Sequence, residues 1–227
     1  MMIADTFRCW EKALPRAPLV DRDAYIIAHC SDRNVIHLGA CDTPLTLAKA
    51  EKSELLHQKL RGHCRNLIGY DIDAESVSLL REKFGIADIV VRDLSEPANR
   101  PETVGNLVVC ADIIEHVDNV GHLLSACNRM VPMDGAILLS TINALSLKQA
   151  IRGFFAREPV HPDHVAYYSF ATLGVILDRF GFAMEECRYF KYPTVGALSG
   201  MIFDMLYALA PQSADGILIE ARKVRDV

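Results

Sequence analysis

Short runs of β-branched and apolar residues recur along this chain, and a longer stretch of helical periodicity separates most of them. Asn34–Leu38 (NVIHL), Asn66–Asp71 (NLIGYD), 89–92 (IVVR), 106–111 (NLVVCA) and 135–141 (GAILLST) read as strands. Between them, 46–63, Ala74–Phe84 and 121–130 read as helices, and Val77, Leu80 and Phe84 fall on one face of the second. Strands this continuously apolar must be covered on both faces, which implies a parallel sheet with crossover helices. A predicted helix at 169–180 stops at Gly181. It is followed by a strand at 183–192, an apolar helix at 195–210 and a strand at 216–222 (GILIEAR). The expectation is an α/β fold: a doubly wound, mostly parallel seven-stranded sheet with helices on both faces. Residues 1–30 read as an N-terminal helical segment covering the cleft, and 31–227 as the main domain.

Composition narrows the partners. A net charge of −5 argues against nucleic acid and anionic membranes, both of which select basic surfaces. The seven cysteines are odd in number, widely spaced and without a CxxC pair. They form neither a disulfide framework nor a zinc motif, and a reducing, cytoplasmic setting is expected. Residues 1–16 carry charge throughout and lack the apolar core of a signal peptide. No apolar run reaches the length of a membrane span, because Asp204 interrupts the longest.

In such sheets ligands bind beyond the carboxyl ends of the strands. Gly39 closes the first predicted strand in VIHLGACDTP, where a glycine lets a ligand approach the backbone; an ordinary tight turn is the plainer reading. Asp71 ends the second strand and suits the two hydroxyls of a ribose, since Asp73 is the better cap for the next helix. Asp93 follows the third strand, where a carboxylate accepts an exocyclic amine and Leu94 offers an N–H and an apolar wall.

The stretch NLVVCADIIEHVDNVGHLLSACNRMVPMDGAILLSTIN resembles the fourth-to-fifth-strand region of class I S-adenosylmethionine-dependent methyltransferases. Ala111, Asp112, Glu115, His116, Val117, Pro132, Gly135, Thr141 and Asn143 carry the likeness. It is nearest the branch of ubiquinone-biosynthesis O-methyltransferases and sugar or natural-product methyltransferases. The segment HPDHVAYYSFATLGVILDRFGF is similar to the same branch. The resemblance implies S-adenosylmethionine as methyl donor. It implies Gly39, Ala40 and Asp42 at the methionine end, Asp71 and Ile72 at the ribose, Asp93 and Leu94 at the adenine, and Ala111 with Asp112 along the methionine portion. In the first loop, His37, Cys41 and Thr43 stand where the family usually has an acidic residue and two glycines.

Methyl transfer to a hydroxyl needs alignment and often a base near neutrality, for which His is suited. His116, His161 and His164 are the catalytic candidates. Structural roles compete: His116 as partner of Glu115 or a carbonyl, and the HPDHV loop as a hydrogen-bonded turn. His161-x-Asp163-His164 can bind a divalent metal, but without a further ligand the metal-free reading is preferred. Phe154, Phe155 and Tyr167 could wall an apolar acceptor. Phe203, Leu206, Tyr207 and Ala210 fall at helical spacing and are read as partly exposed core, and a homodimer through that face is compatible with the sequence. The expected partner is a small-molecule acceptor. The competing reading, motivated by the altered loop, is a catalytically inactive methyltransferase-like binding or regulatory protein.

Overall fold

The computed structural model describes residues 12–96, 104–193 and 196–227. Seven strands form one sheet: β1 (Asn34–Leu38), β2 (Asn66–Asp71), β3 (Ile89–Val91), β4 (Leu107–Ala111), β5 (Ala136–Ile142), β6 (Phe182–Phe190) and β7 (Gly216–Lys223). Their order is β3-β2-β1-β4-β5-β7-β6. The first five pair in parallel, and β7 runs antiparallel between β5 and β6. This is the predicted doubly wound sheet, with its antiparallel hairpin at one edge.

Both faces of the sheet are buried, and the pleat divides the strands between two cores. Ile36, Leu38, Val108, Cys110, Ile137, Leu139, Ile217 and Ile219 pack against α5 (Val120–Met130) and α7 (Phe170–Arg179). Their neighbours Val35, Leu107, Val109, Leu138 and Leu218 face Ile26 and Cys30 of α1 (Arg22–Cys30) and Leu60 of α3 (Leu56–Leu60). Alternate residues serving opposite faces is the period-2 geometry of a strand, and burial on both sides explains the lack of polar alternation.

The helix predicted over 46–63 is two short ones, α2 (Thr46–Glu51) and α3. Ser53 between them has φ 57°, which no helix tolerates. Leu55 is driven into a core with Ala50, Val77 and Leu80, and that burial breaks a run of good helix formers. The α4 helix (Ala74–Phe84) matches its sequence signals. The Asp73 carboxylate accepts from the amides of Glu75 and Ser76 at 3.0 and 3.1 Å, and Gly85 ends the helix in the left-handed conformation. Asp73→Ala is expected to cost about 1 kcal/mol; a denaturant midpoint equal to that of the wild type would refute this role.

Two elements differ from expectation, the N-terminal segment and a helix after β5. The N-terminal segment contributes one described helix, α1; residues 1–11 lie outside the described residues. Ahead of α1 the chain is extended, and Leu19 forms a bridge with Tyr189 of β6. A helix not expected from the sequence, α6 (Leu147–Phe154), follows β5 and leaves Phe154 and Phe155 exposed to solvent. The apolar helix near the C-terminus is α8 (Ala197–Leu209); the prediction also covered residue 195, outside the described residues. Tyr207 of α8 is fully buried and donates to Asp215 at 2.8 Å, whereas Leu198, Met201, Ile202, Met205 and Leu209 face outward. No helix among the described residues is long and apolar enough to cross a membrane.

Candidate active site

One large cleft of about 1860 Å³ opens over the carboxyl ends of the parallel strands. Its lining includes Gly39–Asp42 after β1, Asp71 and Ile72 after β2, Asp93 and Leu94 after β3, and Ala111, Asp112 and His116 after β4. His161 and Asp163 reach it from the later loop. All the residues expected at the cofactor are therefore gathered in one cavity.

The β1 loop is built against β2. The amides of Gly39 and Ala40 both donate to the Tyr70 carbonyl, at 2.9 and 3.3 Å. Asp71 then clamps the loop: one carboxylate oxygen accepts from the Cys41 amide at 2.7 Å, the other from the Asp73 amide at 2.9 Å. Gly39 has φ +65°, and an added Cβ would lie 2.0 Å from Ile113 Cδ1. Glycine is required there on both counts. Cys41 and Thr43, by contrast, are not among the positive-φ residues. Side chains at those positions cost no left-handed backbone strain, so the loop tolerates residues other than glycine there. Gly39→Ala is expected to destabilise the fold by about 1–2 kcal/mol through its left-handed backbone. Adding Ile113→Ala should relieve only the steric part; full recovery of the thermal midpoint would show that φ carries no cost.

The rest of the loop is tied inward. Asp42 is ion-paired with Lys49 of α2, and its amide donates to Thr46 Oγ1 at 3.1 Å. In place of the family's usual acidic residue, His37 is buried, with its Nδ1 3.2 Å from His57 Nδ1. Burial, and then His57, hold the His37 imidazole well below the usual histidine range. Burial also lowers His57, with Asp88, 3.6 Å away, acting in opposition. The end of β1 thus carries a neutral imidazole pair. Asp93 Oδ1 takes the amide and hydroxyl of Ser95 at 2.8 and 2.7 Å, while Leu94 is 5% exposed and Ile72 is 71% exposed. Ile72 is a large apolar side chain left uncovered on the cleft wall.

Asp112 is held by three side chains. It accepts from Ser140 Oγ at 2.8 Å and Tyr192 OH at 3.2 Å, and it is ion-paired with Arg22 of α1. Its φ of 53° is unusual for a residue other than glycine and is held by these contacts. Burial opposes the charge on Arg22, but Asp112 and Asp23 outweigh it and keep the guanidinium protonated. Burial and then Asp112 raise the Tyr192 phenol, which stays neutral. Arg22 and Tyr192 were not legible in the sequence. Each sits in a segment without a motif, and only the fold brings them to the β4 loop.

Glu115, one of the two alternative structural partners for His116, turns the other way. It is 1% exposed and accepts from Thr141 Oγ1 at 2.9 Å. Burial and the nearby Asp112 push it up to about 7. His116 instead faces the HPDHV loop: its ring centroid is 4.4 Å from that of His164 and 5.5 Å from that of His161. Burial and His161 lower the His116 imidazole, and burial and His116 lower His164. The loop is fixed by the Val165 amide, which donates to the Glu115 carbonyl at 2.8 Å. All three catalytic candidates are therefore brought together. Tyr167 lines a separate hollow of about 470 Å³, with its ring centroid 6.4 Å from that of His164.

Comparison with known proteins bears on the family and the fold. The family profile described as a methyltransferase domain matches residues 52–186. A probable S-adenosylmethionine-dependent methyltransferase of Mycolicibacterium smegmatis is 28% identical over 122 residues, covering 54% of this chain and 45% of that protein. The ubiquinone biosynthesis O-methyltransferase of Photobacterium profundum is 32% identical over 83 residues, 34% of this chain and 35% of that one. Each match thus spans less than half the length of the curated relative. Among solved structures, an S-adenosylmethionine-dependent methyltransferase from Mesorhizobium loti superposes with TM-score 0.59 at 15% identity, covering 88% of this chain and 96% of that one. The N-methyltransferase NodS from Bradyrhizobium japonicum superposes with TM-score 0.57 at 11% identity, covering 90% and 93%.

Proposed function

The chain belongs to the methyltransferase-domain family of class I S-adenosylmethionine-dependent enzymes, and from that premise we propose that it transfers a methyl group to an oxygen or nitrogen of a small-molecule acceptor. One observation carries the reading: the loops after four adjacent strands deliver their polar and apolar groups, in chain order, to a single cleft.

The residues present fit S-adenosylmethionine. Asp71 uses one lone pair of each oxygen on the backbone and keeps further acceptor capacity, now shared with the Cys41 thiol, for a ribose diol. Ile72 and Leu94 give apolar cover for flat rings. The Arg22–Asp112 pair places a cation beside an anion, complementary to the carboxylate and ammonium of a free amino-acid end. Gly39 keeps the loop backbone bare where the methionine portion would lie. When bound, the sulfonium supplies an electrophilic methyl group. The chain's own part is alignment, exclusion of water and handling of the acceptor's proton. His116 and His161 line the cleft, with His164 packed against both, and these are the groups suited to that last task. In this reading the described part of the N-terminal segment, 12–30, covers the cleft, with α1 supplying Arg22, and the chain from 31 onward forms the catalytic domain.

Calorimetric titration with S-adenosylmethionine and S-adenosylhomocysteine tests the proposal, followed by a radiolabelled methyl-transfer screen of phenols, carboxylates, sugars and amines. Micromolar binding and transfer to at least one class are expected. Absence of heat at millimolar cofactor from a folded sample would sink it. Binding without transfer to any class would favour the non-catalytic reading.

A further inference from the structure

We infer that His116, His161 and His164 form a binding site for one divalent first-row transition ion of the Zn²⁺ type, at the acceptor end of the cleft. Their donor nitrogens all lie within 4.8 Å of one another. Tetrahedral coordination at 2.0–2.1 Å requires separations of about 3.3 Å. His116 and His161 are exposed, so their rings are free to turn toward His164 at the cost of their present contacts with the Asp163 backbone. The sequence offered only the two histidines of the HPDHV loop; the fold supplies the third from the β4 loop.

Three further features belong to a built site rather than a chance cluster. The Val165 amide ties the loop to the Glu115 carbonyl, which fixes the backbone beside His116 and His164. The Nδ1 atom of His164 is shielded from solvent and has no hydrogen-bond partner among the described residues. His161 Nδ1 accepts from the Asp163 amide at 3.3 Å, with the Asp163 carboxylate 3.7 Å away, so a turn of that ring on metal binding would exchange the amide for the carboxylate and leave the other nitrogen to the metal. A donor set of three imidazoles without a carboxylate favours zinc, nickel or copper over magnesium or calcium.

The other group of three ligands among the described residues is already engaged. His29, Glu186 and Glu220 are held by Tyr25, which donates to Glu186 at 2.6 Å, and by Arg188 and Arg33.

Three protein ligands leave a fourth position open, and His116 and His161 line the cleft. The substrate class this selects is an acceptor bearing an oxygen donor. A hydroxyl at the open position would lose its proton to solvent more readily, because the ion lowers its pKa. That consequence rests on the proposed methyl transfer; binding of the ion does not.

The test uses the 227-residue chain without an affinity tag. Co²⁺ is titrated by visible absorption, and Zn²⁺ by competition with a chromophoric chelator. One equivalent of each is expected to bind with micromolar affinity or better, unchanged by His29→Ala. His161→Ala/His164→Ala should weaken binding by more than the roughly 10–100-fold that loss of an outer hydrogen-bonding partner costs. Its circular dichroism and melting profile report whether it folds, and His116→Gln gives a second, independent arm. No cobalt spectrum and no zinc competition from the folded wild type would overturn the inference, as would equal affinity in both variants. Cofactor is titrated into the same wild-type samples. Cofactor binding without metal binding defeats the metal site alone. Metal binding without cofactor binding supports the site and defeats the methyltransferase reading.

Discussion

Replacing Asp71 with Ala is expected to weaken S-adenosylmethionine binding by about a hundredfold or more. Hydrogen bonds to a charged group contribute about 1.5–3 kcal/mol each, and two ribose hydroxyls make two of them. At about 1.4 kcal/mol per tenfold, the pair amounts to at least two decades of affinity. A second effect adds to the first. Without the carboxylate, the amides of Cys41 and Asp73 lose their acceptor, and the β1 loop loses its clamp to β2. Asp71→Asn separates the two effects: its single acceptor oxygen can serve one of those amides but not both, and it carries no charge. Calorimetric titration of both variants checks this. Affinity within threefold of wild type in a folded Asp71→Ala sample would remove Asp71 from the cofactor site.

The second large effect concerns stability and pH. Glu115 titrates at about 7 in the folded protein, against an ordinary value of 4.5, because it is buried and faces the charge of Asp112. Below 4.5 both the folded and unfolded states hold the proton. Between 4.5 and about 7 the unfolded chain releases it while the native protein retains it, so the native state loses ground as pH rises. Above 7 the full difference, about 3 kcal/mol, weighs against folding. Glu115→Gln should abolish this contribution. The amide oxygen can still accept from Thr141, although not from the Ile142 amide as well, which offsets part of the gain. Expressed as variant minus wild type, stability should rise by about 2–3 kcal/mol between pH 4.5 and pH 8. Taking the difference cancels the opposing titration of His37, His57, His116 and His164, common to both proteins. Chemical denaturation across that range decides the matter; parallel curves would mean that Glu115 is ionised in the native protein at ordinary pH.

The sheet was legible in the sequence because strands buried on both faces must be continuously apolar, and Ile36, Val108 and Ile137 advertise themselves. The Asp73 cap was legible for a similar reason: capping is local chemistry within a few residues. The break between α2 and α3 was not, since Lys52, Ser53 and Glu54 contain neither glycine nor proline; the pull of Leu55 into a distant core decides it. In the site, the strand-end positions of Gly39, Asp71 and Asp93 could be read from order along the chain. Arg22 and Tyr192 could not, because their meaning lies in a contact with Asp112 across 90 and 80 residues. The histidines form an intermediate case: HPDHV is visible as a motif, but its partnership with His116 needs the Val165–Glu115 tether.

The latch on Asp112 has a bearing on the order in which this protein is made. Arg22 emerges from the ribosome early, Asp112 midway and Tyr192 late, and the Val20 amide finds its partner only at the Tyr189 carbonyl, 2.9 Å away. The first five strands can assemble while synthesis continues, because each neighbours one already made. The wall over the methionine end has to wait until the chain has grown past residue 192. A cofactor that depends on that wall cannot template the early steps of folding, and the binding site is among the last parts of the molecule to come into being.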